Sequence, residues 1–274
     1  MFGEVLDKAA EQASKNNPQR TEDYVGENGL LYCGICKTPK QTRVSICGEQ
    51  KTVFCSCDCV KVAKQKQEEA RKRQLIEECR FKAFPGLKHR TETFEADTDA
   101  TAEISKICRN YAKRFDPNDS KWLIFYGDVG TGKSFYAAAV CNSLIDQGYS
   151  VKFTSISTII KELWNARDKL EYYDRLDRFD LIVLDDFDSE RSTNYAKEIR
   201  FDVIEMRSNS GKPLIITSNM TAQDFKTEDI DDKRIYSRMS EHGIFIRFNG
   251  ADKRKESLKQ TMKQELDKLL NDDR

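Results

Sequence analysis

An apolar run, Leu123 to Tyr126, leads straight into Gly127-Asp-Val-Gly-Thr-Gly-Lys-Ser134, and a helical pattern carried by Phe135, Ala138, Ala139, Leu144 and Ile145 follows. A buried strand, a glycine-rich turn and a helix in that order constrain the fold more than any other segment of this chain. Phosphates carry dense negative charge, so a site for them needs inward-pointing backbone N–H groups, close approach without a Cβ and a helix N-terminus behind. Gly127, Gly130 and Gly132 permit the turn, Lys133 can reach a β- or γ-phosphate, and the Ser134 hydroxyl can sit on Mg²⁺. The run Gly127, Asp128, Val129, Gly130, Thr131, Gly132, Lys133, Ser134 and Phe135 is therefore the expected binding segment for ATP or ADP.

The chain has 274 residues, enough for one domain of ordinary size and a small one. Its 46 Lys and Arg balance 46 Asp and Glu, so no one-signed field advertises nucleic acid or a membrane, and any such patch has to be local. No apolar run approaches the roughly 20 residues of a membrane span, and the first residues lack a signal pattern, so a cytoplasmic protein is expected. Residues 1–60 form the expected first domain, with a polar amphipathic start (Val5, Leu6, Ala9, Ala13) and a cysteine cluster. Residues 61–90 form a helical linker, stopped at Phe84-Pro85-Gly86, in which ten basic residues stand against four acids. Such a run reads either as a solvated face or as a contact for nucleic acid or a partner.

Six of the nine cysteines lie between Cys33 and Cys59. Beside a phosphate loop and without a signal sequence they suggest zinc rather than disulfides. Cys33 and Cys36 make a metal knuckle, and the Cys55, Cys57, Cys59 cluster supplies the remaining thiolates of a four-coordinate site. Cys57 and Cys59 directly precede a helix whose N-terminus favours thiolates, so Cys33, Cys36, Cys57 and Cys59 are the expected zinc ligands. Cys55 with Cys57 is the alternative closing pair, and Cys47, in a hairpin at Ile46 to Gly48, is a further candidate. So small a module cannot bury enough apolar area to fold alone, so the metal is expected to be structural. Cys79, Cys108 and Cys141 are expected to pack as small apolar residues.

From residue 91 to 274, apolar strands alternate with helical patterns, the signature of a parallel α/β sheet covered on both faces. Strands are expected at Trp122–Tyr126, Val151–Thr154, Leu181–Leu184, Leu214–Thr217 and Ile244–Phe248. Helices are expected at Ser134–Asp146, Ser157–Leu176 and Tyr195–Ser208, with a short turn at Lys233–Met239 and a final polar helix from Lys253 to Leu270. Chemistry in such sheets lies beyond the carboxyl ends of the strands. There Asp185 is placed to hold the Mg²⁺ shell and Asp186 to polarise the attacking water, while the Asn219 amide can position that water. Arg234 and Arg238 share a helical face.

Taken together, Gly127–Ser134, Leu181–Asp186 with Glu190, Ile216–Asn219 and Arg234–Arg238 resemble the AAA+ ATPases. More narrowly the chain resembles the DnaC/DnaI-type replicative helicase loaders and their phage-encoded relatives, a group that includes the IstB-like transposition ATPases. Gly29–Cys36 and Val53–Cys59 resemble the zinc-binding front end of some members. The resemblance implies an AAA+ sheet with a truncated lid and a slow, partner- or DNA-stimulated ATPase. It also implies a chain that self-associates, binds a hexameric replicative DNA helicase and single-stranded DNA, and delivers the helicase at replication initiation. It makes Lys133 and Ser134 the Walker A pair, Asp185 and Asp186 the Walker B pair, Asn219 the first sensor and Arg238 a finger into a neighbour's ATP. Phe94 is assigned to the adenine pocket and Arg254 to a second sensor. Asp186 departs from the glutamate usual at its position. An IstB-like transposition ATPase acting on duplex DNA with a transposase, and a zinc adaptor with little turnover, are the alternatives.

Overall fold

The structure is a computed structural model that describes residues 20–46, 48–84, 86–97, 102–188, 193–250, 252 and 262. The amphipathic start, Cys47, Glu190, Arg254 and the expected C-terminal helix lie outside the described residues, Met262 apart. The chain divides into two compact units, Met1–Leu75 and Ile76–Arg274.

In the first unit β1 (Tyr24–Val25) pairs antiparallel with β2 (Leu31–Tyr32), and β3 (Gln41–Ile46) with β4 (Glu49–Phe54). The expected hairpin is thus the β3–β4 turn. Helix α1 (Asp58–Ala83) follows, and the unit boundary falls inside it. Of its residues only Ala83 is buried, as a sequence with so few periodic apolar positions requires.

The second unit continues with α2 (Glu103–Lys113), β5 (Trp122–Gly127), α3 (Lys133–Asp146), β6 (Val151–Thr154), α4 (Ile156–Asn165), α5 (Lys169–Asp177) and β7 (Leu181–Leu184). Then come α6 (Asn194–Ser210), β8 (Leu214–Thr217), α7 (Ile230–His242) and β9 (Gly243–Phe248). The five strands form one sheet in the order β6-β7-β8-β5-β9, every pairing parallel. Period-2 alternation sends neighbouring side chains of each strand to opposite layers. Leu123, Phe125 and Val183 pack with Ala137, Val140, Cys141 and Leu144 of α3, whereas Trp122, Ile124, Ile182 and Ile216 pack with α4, α6 and α7. Each fully buried aliphatic of this kind contributes about 1.5–3 kcal/mol.

Three expectations are corrected. The single helix over Ser157–Leu176 is two, because the Asp168 carboxylate accepts the N–H groups of Leu170 and Glu171 and starts a new helix after an extended Ala166. Ile156, Ile159 and Leu163 before the break and Tyr172 and Leu176 after it bury in one layer, so apolar spacing runs through the break unmarked. The short turn at Lys233–Met239 is the thirteen-residue α7, capped by Asp229 and buried through Ile235, Tyr236 and Met239. Cys79 is exposed on α1, while Cys108 and Cys141 are fully buried as expected. Helix α2 was given no bounds in advance, although Cys108 lies on a helical pattern in which Ile104, Ile107, Tyr111 and Ala112 complete an apolar face.

Candidate functional site

At the carboxyl end of the sheet a cleft of about 220 Å³ is lined by Val129, Gly130, Gly132, Lys133, Ser134, Asp185, Asp186, Thr217 and Asn219. Its floor is the loop between β5 and α3. Gly127 adopts φ +116°, and a Cβ there would lie 2.3 Å from the Phe248 carbonyl oxygen, which also accepts the Asp128 N–H at 3.0 Å. The end of β9 therefore anchors the loop, and only glycine fits at its root. Gly132, left-handed at φ +100°, turns the chain into α3, so that helix's first N–H groups end at the cleft. The Lys133 ammonium donates to the carbonyls of Gly127 at 2.9 Å and Asp128 at 2.6 Å and is thereby fixed at the rim, and Thr131 donates to Asp128 O at 2.8 Å.

The opposite wall is built where β7 and β8 end together. The Thr217 hydroxyl accepts the Asp186 N–H at 2.9 Å and donates to Asp185 Oδ1 at 2.6 Å. The Asn219 amide donates to Asp186 Oδ1 at 3.0 Å. Asp188 accepts from the Ser218 hydroxyl and, at 3.0 Å, from the Asn219 N–H. Asp186 sits at φ +54°, a left-handed conformation costing an L-residue about 1–2 kcal/mol, and its bonds to Thr217 and Asn219 hold it there. One cation, two adjacent carboxylates, a helix N-terminus and an amide thus converge on one space, the set a magnesium-bound triphosphate needs. The sequence assigns no role to Thr217, Ser218 or Asp188. Thr217 and Ser218 sit inside the same strand-end segment as Asn219, and that adjacency was the available signal.

Other expected residues lie elsewhere. Phe94 is buried in the core on the α3 side of the sheet, with the Arg109 guanidinium 4.8 Å from its ring centre. Phe135 packs against the same core and edge-on to Tyr136. Arg238 is not among the residues lining the cleft. It is part-exposed on α7, donating to Glu205 of α6 at 3.3 and 3.4 Å and to Glu241 at 3.0 Å. Arg234, one turn earlier, lies over the Phe201 ring.

In the first unit the sulfurs of Cys33, Cys36, Cys57 and Cys59 all lie within 4.8 Å of one another, with Cys33 to Cys59 at 3.5 Å and Cys57 to Cys59 at 3.3 Å. A tetrahedral zinc at about 2.3 Å from each sulfur requires edges of about 3.8 Å, so the donor set fits. A tight turn makes the knuckle: the Lys37 N–H bonds to Cys33 O, the Cys33 N–H to Thr38 O, and Lys37 takes φ +57°. The Thr38 hydroxyl and the Cys59 N–H hold the Cys36 thiol down to about 5, and the N–H groups of Cys36 and Ile35 lower Cys33. The neighbouring Cys57 sulfur pushes Cys59 up to about 12. Cys55 stands outside the cluster, bonded to the Pro39 carbonyl, with burial raising its thiol. Beneath the knuckle a buried ion pair joins Lys40 and Asp23 at 2.6 Å, and Asp23 also accepts the Gly34 N–H. The Arg20 N–H and Lys40 bring the Asp23 carboxyl down to about 2.

Among the described residues no helix is long and apolar enough to cross a membrane. The chain is 28% identical over 136 residues to the replicative helicase loader DnaC of Escherichia coli (strain K12), a match covering 47% of this chain and 55% of that protein. The chain thus spans about half the length of the curated relatives it matches. It is 32% identical over 100 residues to a protein named as an insertion sequence ATP-binding protein in Sinorhizobium fredii (strain NBRC 101917 / NGR234), covering 35% of this chain and 33% of that one. The crystal structure of DnaI superposes with a TM-score of 0.52 at 20% identity, covering 62% of this chain and 94% of that one, and shows a shared fold. The family model for IstB-like ATP binding proteins matches residues 45–261, so the chain belongs to that family.

Proposed function

We propose that this chain is an ATP-dependent loader of a replicative DNA helicase. The observation that carries the reading is the convergence of Lys133, Ser134, Asp185, Asp186 and Asn219 on one cleft, in a chain whose curated relatives include DnaC. Bound MgATP would supply a γ-phosphate whose presence or loss distinguishes two states of the protein. Lys133 would neutralise the β- and γ-phosphates, and Ser134 and Asp185 would hold the metal shell. Asp186 polarises the attacking water, which Asn219 orients. Arg238, held at the surface by Glu205 and Glu241, exchanges those carboxylates for a neighbouring protomer's γ-phosphate when copies assemble, so ATP occupancy reports assembly. The shorter reach of Asp186 favours slow hydrolysis, stimulated by partner or DNA.

In this reading residues 1–60 form a zinc-stapled domain that docks on the hexameric helicase. Residues 61–90 are a basic helical linker, residues 91–274 are the AAA+ ATPase, single-stranded DNA is the second partner and the cytoplasm is the site of action. Zinc would hold Cys33, Cys36, Cys57 and Cys59 together without an open position for chemistry. Affinity capture with the full chain as bait and a purified replicative helicase as prey, with and without ATP, tests the proposal. Nucleotide-dependent retention is expected, and its absence at micromolar concentrations of both proteins defeats the loader reading. The similarity to an insertion sequence ATP-binding protein favours one second reading, a transposition ATPase. It predicts duplex-DNA-stimulated hydrolysis and no helicase retention.

A further inference from the structure

Thr217 ends β8, where the three preceding residues, Leu214, Ile215 and Ile216, are aliphatic and buried. It is only 2% exposed, yet its side chain lines the cleft. In a strand covered on both faces a valine would fill the same volume without a hydroxyl to satisfy. The backbone needs no help from that hydroxyl to hold the strand end: the Phe187 N–H already bonds to Thr217 O at 2.9 Å, and the Ser218 N–H to Phe125 O at 2.8 Å. What the hydroxyl adds is two further bonds. It accepts the Asp186 N–H at 2.9 Å and stands 2.6 Å from Asp185 Oδ1. A backbone N–H can only donate and an ionised carboxylate can only accept, so the single hydroxyl hydrogen is directed at Asp185.

We propose that Thr217 is a positioning residue for the magnesium site, a role that rests on reading the cleft as a Mg²⁺-nucleotide site. Its hydroxyl fixes the rotation of the Asp185 carboxylate through Oδ1, and the second oxygen would then be available to the metal shell. The same hydroxyl holds Asp186 in its left-handed conformation, with its carboxylate on Asn219. One side chain thereby ties the rotation of the Asp185 carboxylate to the backbone conformation of Asp186.

The test uses the full-length chain with ADP and Mn²⁺ as the probe metal. Metal affinity is read by electron paramagnetic resonance, nucleotide affinity without divalent metal by calorimetry, and folding by melting temperature. Thr217→Val and Thr217→Ala are expected to weaken Mn²⁺ binding about 10- to 100-fold, as loss of a hydrogen bond to a charged group implies. Metal-free ADP affinity should stay within about twofold, and Thr217→Ser should restore Mn²⁺ binding. Unchanged Mn²⁺ affinity in both hydroxyl-free variants overturns the proposal. So does failure of the serine variant to rescue, or an equal loss of metal-free ADP binding, since either marks Thr217 as merely structural. A wild-type chain that retains no nucleotide under any condition sinks the ATPase reading itself, an outcome distinct from these.

Discussion

The two units hold their candidate sites by opposite means. In the second, the cleft hangs from a sheet with an apolar layer on each face, and its polar atoms are placed by strand ends that the core has already fixed. In the first, the described strands are short or largely exposed, and among the described residues only Leu31, Cys33, Lys40 and Cys57 are buried, two of them members of the thiolate cluster. A phosphate site can thus be a consequence of folding, whereas a thiolate site is a cause of it. Ligand removal should therefore have different consequences in the two units.

Zinc removal should have the largest effect. Chelation, or Cys33→Ser, should unfold the first unit, since structural zinc sites contribute apparent binding energies of about 10–16 kcal/mol to small modules. Limited proteolysis should then release the first unit while calorimetry shows ADP binding unchanged. Loss of both together would erase the contrast. Next, Lys133→Ala should abolish nucleotide binding by calorimetry while zinc content, measured by atomic absorption, stays at the wild-type level. Ile124→Ala, in the buried centre of β5, should cost about 2–5 kcal/mol in urea unfolding of the second unit, with the zinc unit's proteolytic pattern unaffected. Arg238→Ala should spare ATP binding yet lose the rise in hydrolysis rate with protein concentration. An identical rate across that titration in mutant and wild type would remove the trans-acting role. The smallest effect is expected from Cys55→Ser, whose sulfur lies outside the cluster: zinc stoichiometry should not change, and a drop would mean that the closing pair is misassigned.

Much of this contrast is legible in the sequence. The phosphate loop announces itself because its constraints are local: three glycines, a lysine and a serine must be consecutive for backbone N–H groups to surround an anion. Strands β5, β7 and β8 were legible for a related reason, since strands buried on both faces read as continuous apolar runs. The α4–α5 break was not, because a capping aspartate interrupts the helix without disturbing the apolar spacing. Helix α7 was read short because its buried positions are few and its exposed face is charged. Cys57 and Cys59 could be preferred over Cys55 from their place at the start of a helix, although only Cys57 precedes α1 and Cys59 lies within its first turn; the choice rested on which sulfurs a hairpin brings back to the Cys33 knuckle.

The sequence alone determined that a triphosphate loop stands on a parallel sheet and that a thiolate cluster precedes it, because both depend on residues near one another in the chain. Only the tertiary structure decided that Thr217 orders Asp185 and Asp186, that Arg238 rests on Glu205 outside its own cleft, and that Phe94 lies in the core. Those relations join strands and helices far apart in sequence, and the register between β7 and β8 that creates the first of them is set by packing across the whole sheet, which no local pattern encodes.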